Sequence, residues 1–221
     1  VLEMMTPQTV ERITQDYYSR FCGIRLSEER QGTFFTCSPA RAEKLKGLGC
    51  KYAIYILVTG DLCAASYSPE HKAFMEGLRA CGRDDMIAAA GQRFRLKRKK
   101  LMIFEREAVS QYGGARTLNA ADYPRYESFF RRAYPDSDPD GWLHEYFAEK
   151  TAKEYFAGYF INGQLVSVCD APDMPYMADN IQHTGICTLK EERRKGYAAC
   201  TATLAAHHLM EMGICPQWEC G

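Results

Sequence analysis

The chain has 221 residues, 46% of them hydrophobic and 25% charged, which fits one large domain or two small ones with a true core and argues against wholesale disorder. Its 28 basic and 28 acidic side chains cancel, so a protein that coats nucleic acid is disfavoured, although a local basic patch is compatible with this balance. No apolar run reaches the roughly 18 residues that a membrane helix needs, and Val1-Leu2-Glu3-Met4-Met5 lacks the basic and apolar regions of a secretory signal.

Residues 8–22 predict a helix, with Val10, Ile13, Tyr17, Tyr18 and Phe21 on one stripe and Gly23 as its stop. Thr33 to Cys37 is a short β-rich run. Ser38-Pro39 opens a helix expected to reach Leu48, closed by Gly49. Tyr52 to Val58 is strongly strand-like and Leu62 to Tyr67 weakly so, with Thr59-Gly60-Asp61 as the hairpin turn between them. A further helix is expected from Ser68-Pro69 to near Gly82. Residues 93–100 read Arg-Phe-Arg-Leu-Lys-Arg-Lys-Lys, as a solvated strand face or as a contact for an anion or a nucleic-acid backbone. Gln111 to Thr117, with Gly113-Gly114, predicts a linker between an N-terminal α/β domain (1–112) and a second domain (117–221).

In the second half, Asn119 to Asp122 offers an N-cap for a helix ending near Tyr134. The loop 135–141 carries three aspartates, but its prolines and the lack of a calcium-loop pattern favour a solvated segment. Trp142 to Ala152 is a second helix. Tyr155 to Ile161 and Leu165 to Asp170 are strands joined by Asn162-Gly163. Ile181 to Leu189 is a strand, Gly196 to Met212 a helix, and Gln217 to Cys220 the start of one more strand. The order predicts mixed α/β architecture: a mixed sheet flanked by helices.

Ten cysteines are spread along the chain, none in a Cys-x-x-Cys pair and none with histidines at zinc-finger spacing. Several lie in apolar stretches, such as Cys63 before Ala64-Ala65 and Cys200 within 198–204. They read as reduced thiols used as small core hydrophobes in a cytoplasmic protein, with no metal expected.

The segment Gly185 to Ala198 carries the chemistry. A strand runs into a short loop and then a helix. Gly196 permits close backbone approach, and Ala198 keeps the first turn uncrowded. The first N–H groups of that helix lack intrahelical acceptors, and its dipole favours an anion there. Arg193, Arg194 and Lys195 add positive charge, so the junction reads as a seat for a diphosphate or as an ordinary basic helix cap.

The run Arg193-x-x-Gly196-x-Ala198, between a strand and a helix, resembles the acetyl-CoA-binding motif of the GNAT superfamily of N-acetyltransferases. The elements of about residues 117–221 stand in that family's order. The long region ahead of them is similar to the subgroup that includes antibiotic self-resistance acetyltransferases. The resemblance implies a GNAT-like mixed sheet flanked by helices, behind a degenerate GNAT-like α/β N-terminal half that shapes the substrate site. It implies acetyl-CoA as cosubstrate, with the pantetheine arm bonded along Cys187, Thr188 and Leu189. The pyrophosphate would lie in the cradle of Arg193, Arg194, Lys195, Gly196, Tyr197 and Ala198. It implies transfer of acetyl directly to a primary amine of a small substrate, with Cys187 lining the site rather than acting as nucleophile.

The catalytic base would be His183, on the motif strand, or Asp170, at the end of the preceding hairpin. The family pattern continues with a helix and two strands whose region often supplies a tyrosine as acid for the thiolate. The sequence given ends at Gly221, so those parts are expected from beyond it, from the N-terminal half or from a partner. No membrane partner is expected, and a homo-oligomer is compatible with the reading. Two other functions fit the same residues. One is a non-catalytic CoA-binding sensor. The other is a tandem-GNAT aminoacyl transferase whose basic run 93–100 meets RNA.

Overall fold

The stripe Val10, Ile13, Tyr17, Tyr18 and Phe21 recurs every three to four residues and is buried along helix α1 (Pro7–Cys22). The computed structural model describes residues 5–26, 31–103 and 112–220. What the sequence implied for Val1 to Met4 and for Gln111 lies outside the described residues. Helix α1 stops at Gly23, whose φ of +72° lets its N–H and that of Ile24 return to the Ser19 carbonyl at 2.8 and 3.1 Å. The chain divides into two compact units: a first of Gln8–Lys100 with Asp173–Ile181, and a second of Leu101–Pro172 with Gln182–Glu219.

In the first unit, β1 (Gly32–Cys37), β2 (Ile54–Thr59) and β3 (Leu62–Tyr67) form a sheet ordered β1-β3-β2. β1 runs parallel to β3, and β2 antiparallel. Every residue of β3 is buried. Its small side chains Cys63, Ala64, Ala65 and Ser66 read as weak strand formers, yet a central position suits them, because both neighbours supply ladder bonds. Cys63, Ala65 and Tyr67 pack with Met75 of α2 (Lys72–Gly77) and Met86 of α3 (Arg83–Arg93).

Three expectations change here. The helix expected over 38–48 is a single 3-10 turn, Pro39–Ala42, and Glu43 is already extended at φ −114° and ψ 157°. Gly47, at φ +75°, lies against the Asp173 backbone so closely that a Cβ would collide with its carbonyl. The helix expected from Pro69 to Gly82 ends at Gly77. Helix α3 follows unannounced, because only Met86 and Ala90 form its buried face, too sparse a stripe to read. The basic run closes α3, and only Lys100 enters β4 (Lys100–Ile103). Phe94 sits 4.8 Å from the His71 ring and 5.4 Å from Phe74, and the Arg93 guanidinium lies 4.6 Å from the Phe74 centroid.

The second unit holds β5 (Ala115–Thr117), helices α4 (Tyr123–Ala133) and α5 (Leu143–Ala152), β6 (Ala157–Ile161), β7 (Gln164–Asp170), β8 (Ile181–His183), β9 (Gly185–Thr188), α6 (Tyr197–Glu211) and β10 (Cys215–Cys220). One sheet is ordered β5-β6-β7-β9, antiparallel throughout, and another β4-β10-β8. Asn162 and Gly163, at φ +48° and +78°, make the expected hairpin turn. Strand β5 occupies the expected linker; three residues are too few to show a period. Tyr126, Phe129 and Phe130 of α4 and Leu143 and Phe147 of α5 bury against Leu165, Val168 and Leu189. On the alternate face, Cys169, Ala157 and Ile186 meet Ala205 and Leu204 of α6. The result is mixed α/β architecture, with helices flanking the sheets.

Asn119 caps the turn into α4. Its side chain accepts from the Ala121 N–H at 3.0 Å while Asp122 accepts from the Asn119 N–H at 3.1 Å. The buried Asp122 carboxylate also takes both arms of Arg116 at 2.6 and 2.7 Å. The Arg116 guanidinium therefore holds that carboxyl below the usual aspartate range, against the opposing effect of burial. A depressed folded pKa stabilises above the unfolded value of about 3.9, and that contribution fades as pH falls through the folded value. Asp122→Asn should cost about 1–3 kcal/mol at neutral pH, and its deficit against wild type should shrink as pH falls below the unfolded value of about 3.9. Urea midpoints across pH check this; a deficit that does not change with pH contradicts it.

Candidate functional site

The run Ile181 to Thr188 is one stretch of chain shared between two sheets. It changes allegiance at Thr184, whose N–H donates to the Gln217 carbonyl at 2.8 Å. Before that point β8 pairs with β10; after it β9 pairs with β7, Val168 opposite Cys187 and Asp170 opposite Gly185. No described strand pairs with the other edge of β9. That edge presents main-chain donors and acceptors of the kind an extended ligand can bond as an added strand.

The chain then passes through a 3-10 turn, Lys190–Glu192, into α6. Arg194 at φ +64° and Gly196 at φ +83° are both left-handed, and Gly196 caps the helix. Two left-handed residues in three turn the chain sharply from the extended Arg193 into the helix, whose first N–H groups have no intrahelical acceptor. Outside helices and strands, no described backbone bond has a donor between Arg193 and Ala199. A Cβ placed on Gly196 would meet nothing within 4 Å, so the cradle is open. The N-terminus of a helix of 15 residues adds its dipole.

The side chains tune the charge of this loop. Arg193 Nε donates to the Thr188 carbonyl at 3.1 Å, tying the loop to the end of β9. Glu191 is held by Arg132 at 2.6 Å and Glu192 by Lys195 at 2.8 Å. Both loop carboxylates are thus engaged, and Arg194 has no ion-pair partner among the described residues. Tyr197 stacks on Tyr159 of β6 at 4.4 Å, and Thr201 donates to its carbonyl at 2.7 Å, which fixes the first turn. Ala198 follows on that turn. Ser167 and Thr188 share a hydroxyl hydrogen bond of 2.8 Å across β7 and β9, and Leu189 anchors the loop in the core.

Asp170 and Cys187 face the α4 side of the sheet, as alternation from Val168 requires. The Asp170 carboxylate accepts from the Gly185 N–H, and a Cβ on Gly185 would collide with it. Burial pushes the Asp170 pKa up, opposed by that N–H, its own N–H and the charge of Lys150. Tyr134, at the C-terminus of α4, hydrogen-bonds Cys187, and burial followed by that bond raises its pKa. Tyr126 is raised by burial and then by the nearby Asp170. Sequence reading missed both tyrosines. Tyr126 follows the α4 core stripe with Phe129 and Phe130, and Tyr134 sits one residue beyond that helix.

His183 lies in β8, half-buried, with Nε2 turned away from solvent. It and Asp170 stand in different sheets. His207 on α6 shares a 2.5 Å hydrogen bond with Tyr112, and His208 lies 3.3 Å from Glu154. Among the described residues, no cluster of three or more His, Cys, Asp or Glu is placed to hold a metal ion, and all ten cysteines are free thiols. No helix of the described residues is long and apolar enough to cross a membrane.

No family model and no curated protein matches the chain. Solved structures similar to it include a chain described as an acetyltransferase of the GNAT family from Novosphingobium aromaticivorans. That one is 22% identical at TM-score 0.41, covering 55% of this chain and 50% of its own. This chain therefore spans about half the length of that relative. A GNAT-family acetyltransferase from Colwellia psychrerythraea is 13% identical at TM-score 0.47, over 76% of this chain and 71% of its own. A PaiA N-acetyltransferase from Thermoplasma acidophilum, in complex with coenzyme A, is 16% identical at TM-score 0.29, over 44% and 70%. The first two descriptions name the GNAT family, and the third names an N-acetyltransferase with coenzyme A.

Proposed function

We propose that the chain is an acetyl-CoA-dependent N-acetyltransferase of the GNAT kind, acting on a primary amine of a small substrate by direct transfer. One observation carries it: the free edge of β9 runs directly into the left-handed Arg194 and Gly196 and the open first turn of α6. The main chain of Cys187, Thr188 and Leu189 suits a pantetheine arm, and the amides of Arg193, Arg194, Lys195, Gly196, Tyr197 and Ala198 suit a pyrophosphate. Bound there, acetyl-CoA supplies the thioester as acyl donor. A main-chain N–H near Cys187 polarises the carbonyl, and the protein holds the amine against it. Of the two expected bases, Asp170 is better supported than His183. It shares a sheet face with Cys187, and burial raises its pKa toward the working range of a proton acceptor. The proposal keeps the domain reading, with 117–221 as the CoA-binding part and 1–112 as a degenerate partner.

The test is thiol release from acetyl-CoA across a panel of primary amines, with wild type and Cys187→Ala. Direct transfer predicts that the variant keeps its rate within about tenfold, because the polarising N–H belongs to the main chain. A cysteine relay predicts a loss of several orders of magnitude and ping-pong kinetics. CoA binding without turnover for any amine would assign the sensor role instead.

A further inference from the structure

The basic run 93–100 takes no part in the acetyl-CoA seat. Arg93, Arg95, Lys97, Arg98, Lys99 and Lys100 are all exposed, and they hold six of the chain's 28 basic side chains in eight of its 221 residues. The sequence has no Asp or Glu from Met86 to Phe104. Only Arg93 belongs to α3 and only Lys100 to β4, so residues 95–99 cross the surface outside any helix or strand. The fold itself uses the first of these charges: Arg93 suits the C-terminal turn of α3, where the helix dipole favours a cation, and lies against Phe74. Five carboxylates fall outside the described residues, on Glu3, Glu28, Glu29, Glu105 and Glu107, and with them two guanidinium groups, on Arg30 and Arg106. The six cations of the run outnumber all five.

Aromatic rings stand at both ends of the run. At its start the half-buried Phe94 ring lies 4.8 Å from His71 and 5.4 Å from Phe74, which are half-buried too. At its end the Lys99 ammonium lies 3.4 Å from the Tyr52 hydroxyl and 5.8 Å from the centre of that half-buried ring. Cations on an exposed irregular segment, with partly open rings beside them, suit a single nucleic-acid strand: the cations hold phosphates and the rings receive bases. A duplex groove is read by a helix or a two-stranded ribbon that enters it, and residues 95–99 form neither. A lipid surface asks for apolar side chains that enter it. Phe94 is taken up by His71 and Phe74, which leaves Leu96, 37% exposed, as the run's one exposed apolar side chain. We propose that residues 93–100 are a docking surface for single-stranded nucleic acid, held by its phosphate backbone without regard to base sequence. The zero net charge of the chain agrees with a local contact of this kind rather than a coat. The surface belongs to the first unit and does not depend on the acetyltransferase reading.

The probes are end-labelled oligouridine and oligodeoxythymidine of about 20 nucleotides, longer than eight residues can span, read by fluorescence anisotropy with the full chain. Both should bind with micromolar affinity near about 50 mM salt, and alike, because phosphates carry the contact. Four engaged cations predict a slope of about −3 for log affinity against log salt, a fall of about fiftyfold between about 50 and 200 mM. The triple variant Arg95→Gln, Lys97→Gln, Arg98→Gln changes exposed side chains only. It should bind at least about tenfold more weakly, with the slope shallower by about 2. An unchanged slope in the variant, or no binding of the wild type at about 100 μM, overturns the proposal. A duplex of the same length that binds as tightly as the single strands overturns the single-strand class. Phosphatidylserine vesicles that bind the chain while the strands do not would give the surface to a membrane and overturn it equally. If the triple variant does not fold, the wild-type salt slope and the contrast of strand, duplex and vesicle decide alone.

Discussion

Gly196→Trp should abolish binding of coenzyme A while leaving the chain folded. Gly196 stands at φ +83°, where side chains are strained, and caps α6 with no atom near its missing Cβ. The open space means that an indole there displaces no core residue; it fills the cradle itself. The strain costs about 1–3 kcal/mol locally, a tolerable fraction of a domain's stability. The anion, however, needs the amides of Arg194 to Ala198 within hydrogen-bond reach, and the ring stands in that path. Affinity should fall at least about a hundredfold, or about 2.7 kcal/mol. Gly196→Ala is the graded control: it adds the strain with little bulk and should lose less. Calorimetry with CoA reads both, after circular dichroism has confirmed the fold. Unchanged affinity in the tryptophan variant would place the pyrophosphate elsewhere.

The largest expected loss of stability is at Phe147. It is 1% exposed, stacks on Tyr126 at 4.7 Å, and meets Phe156 at 5.9 Å and Tyr123 at 5.7 Å. Truncation to alanine removes a whole ring from the contact between α4 and α5, and the rigid neighbouring rings can close the space only in part. Phe147→Ala should cost about 3–5 kcal/mol in urea unfolding. Tyr126 leans on that ring and adjoins Asp170, so the same change should disturb the pKa of the Asp170 carboxyl. A loss under about 1 kcal/mol would mean that the aromatic cluster does not organise this face.

How much of this was legible in the sequence depended on local signals. The α1 stripe, the Asn162-Gly163 turn and the Asn119 cap each lie within a few residues, so each could be read directly. The junction at Gly196 was legible for the same reason. What escaped was set by distant partners. β3 looked weak because its small residues gain their place from strands on both sides. The helix expected after Pro39 gave way to a tight turn whose Arg41 is drawn under Phe21, and no periodicity announces that. Helix α3 buries only Met86 and Ala90, and β5 is three residues long. Asp170 was named from its place in the chain, but Tyr126 and Tyr134, which face it, come from another helix and leave no mark near it in the sequence. The free edge of β9 is also invisible to sequence, since it depends on the switch of pairing at Thr184.

The most direct test of the account is a titration of the 15N-labelled wild-type chain with coenzyme A, read at the backbone amides. The account predicts that the largest shifts fall on Arg193 to Cys200 and on Cys187 to Leu189, with Gly196 among the strongest. Shifts confined to other elements, or none at millimolar coenzyme A, would contradict it.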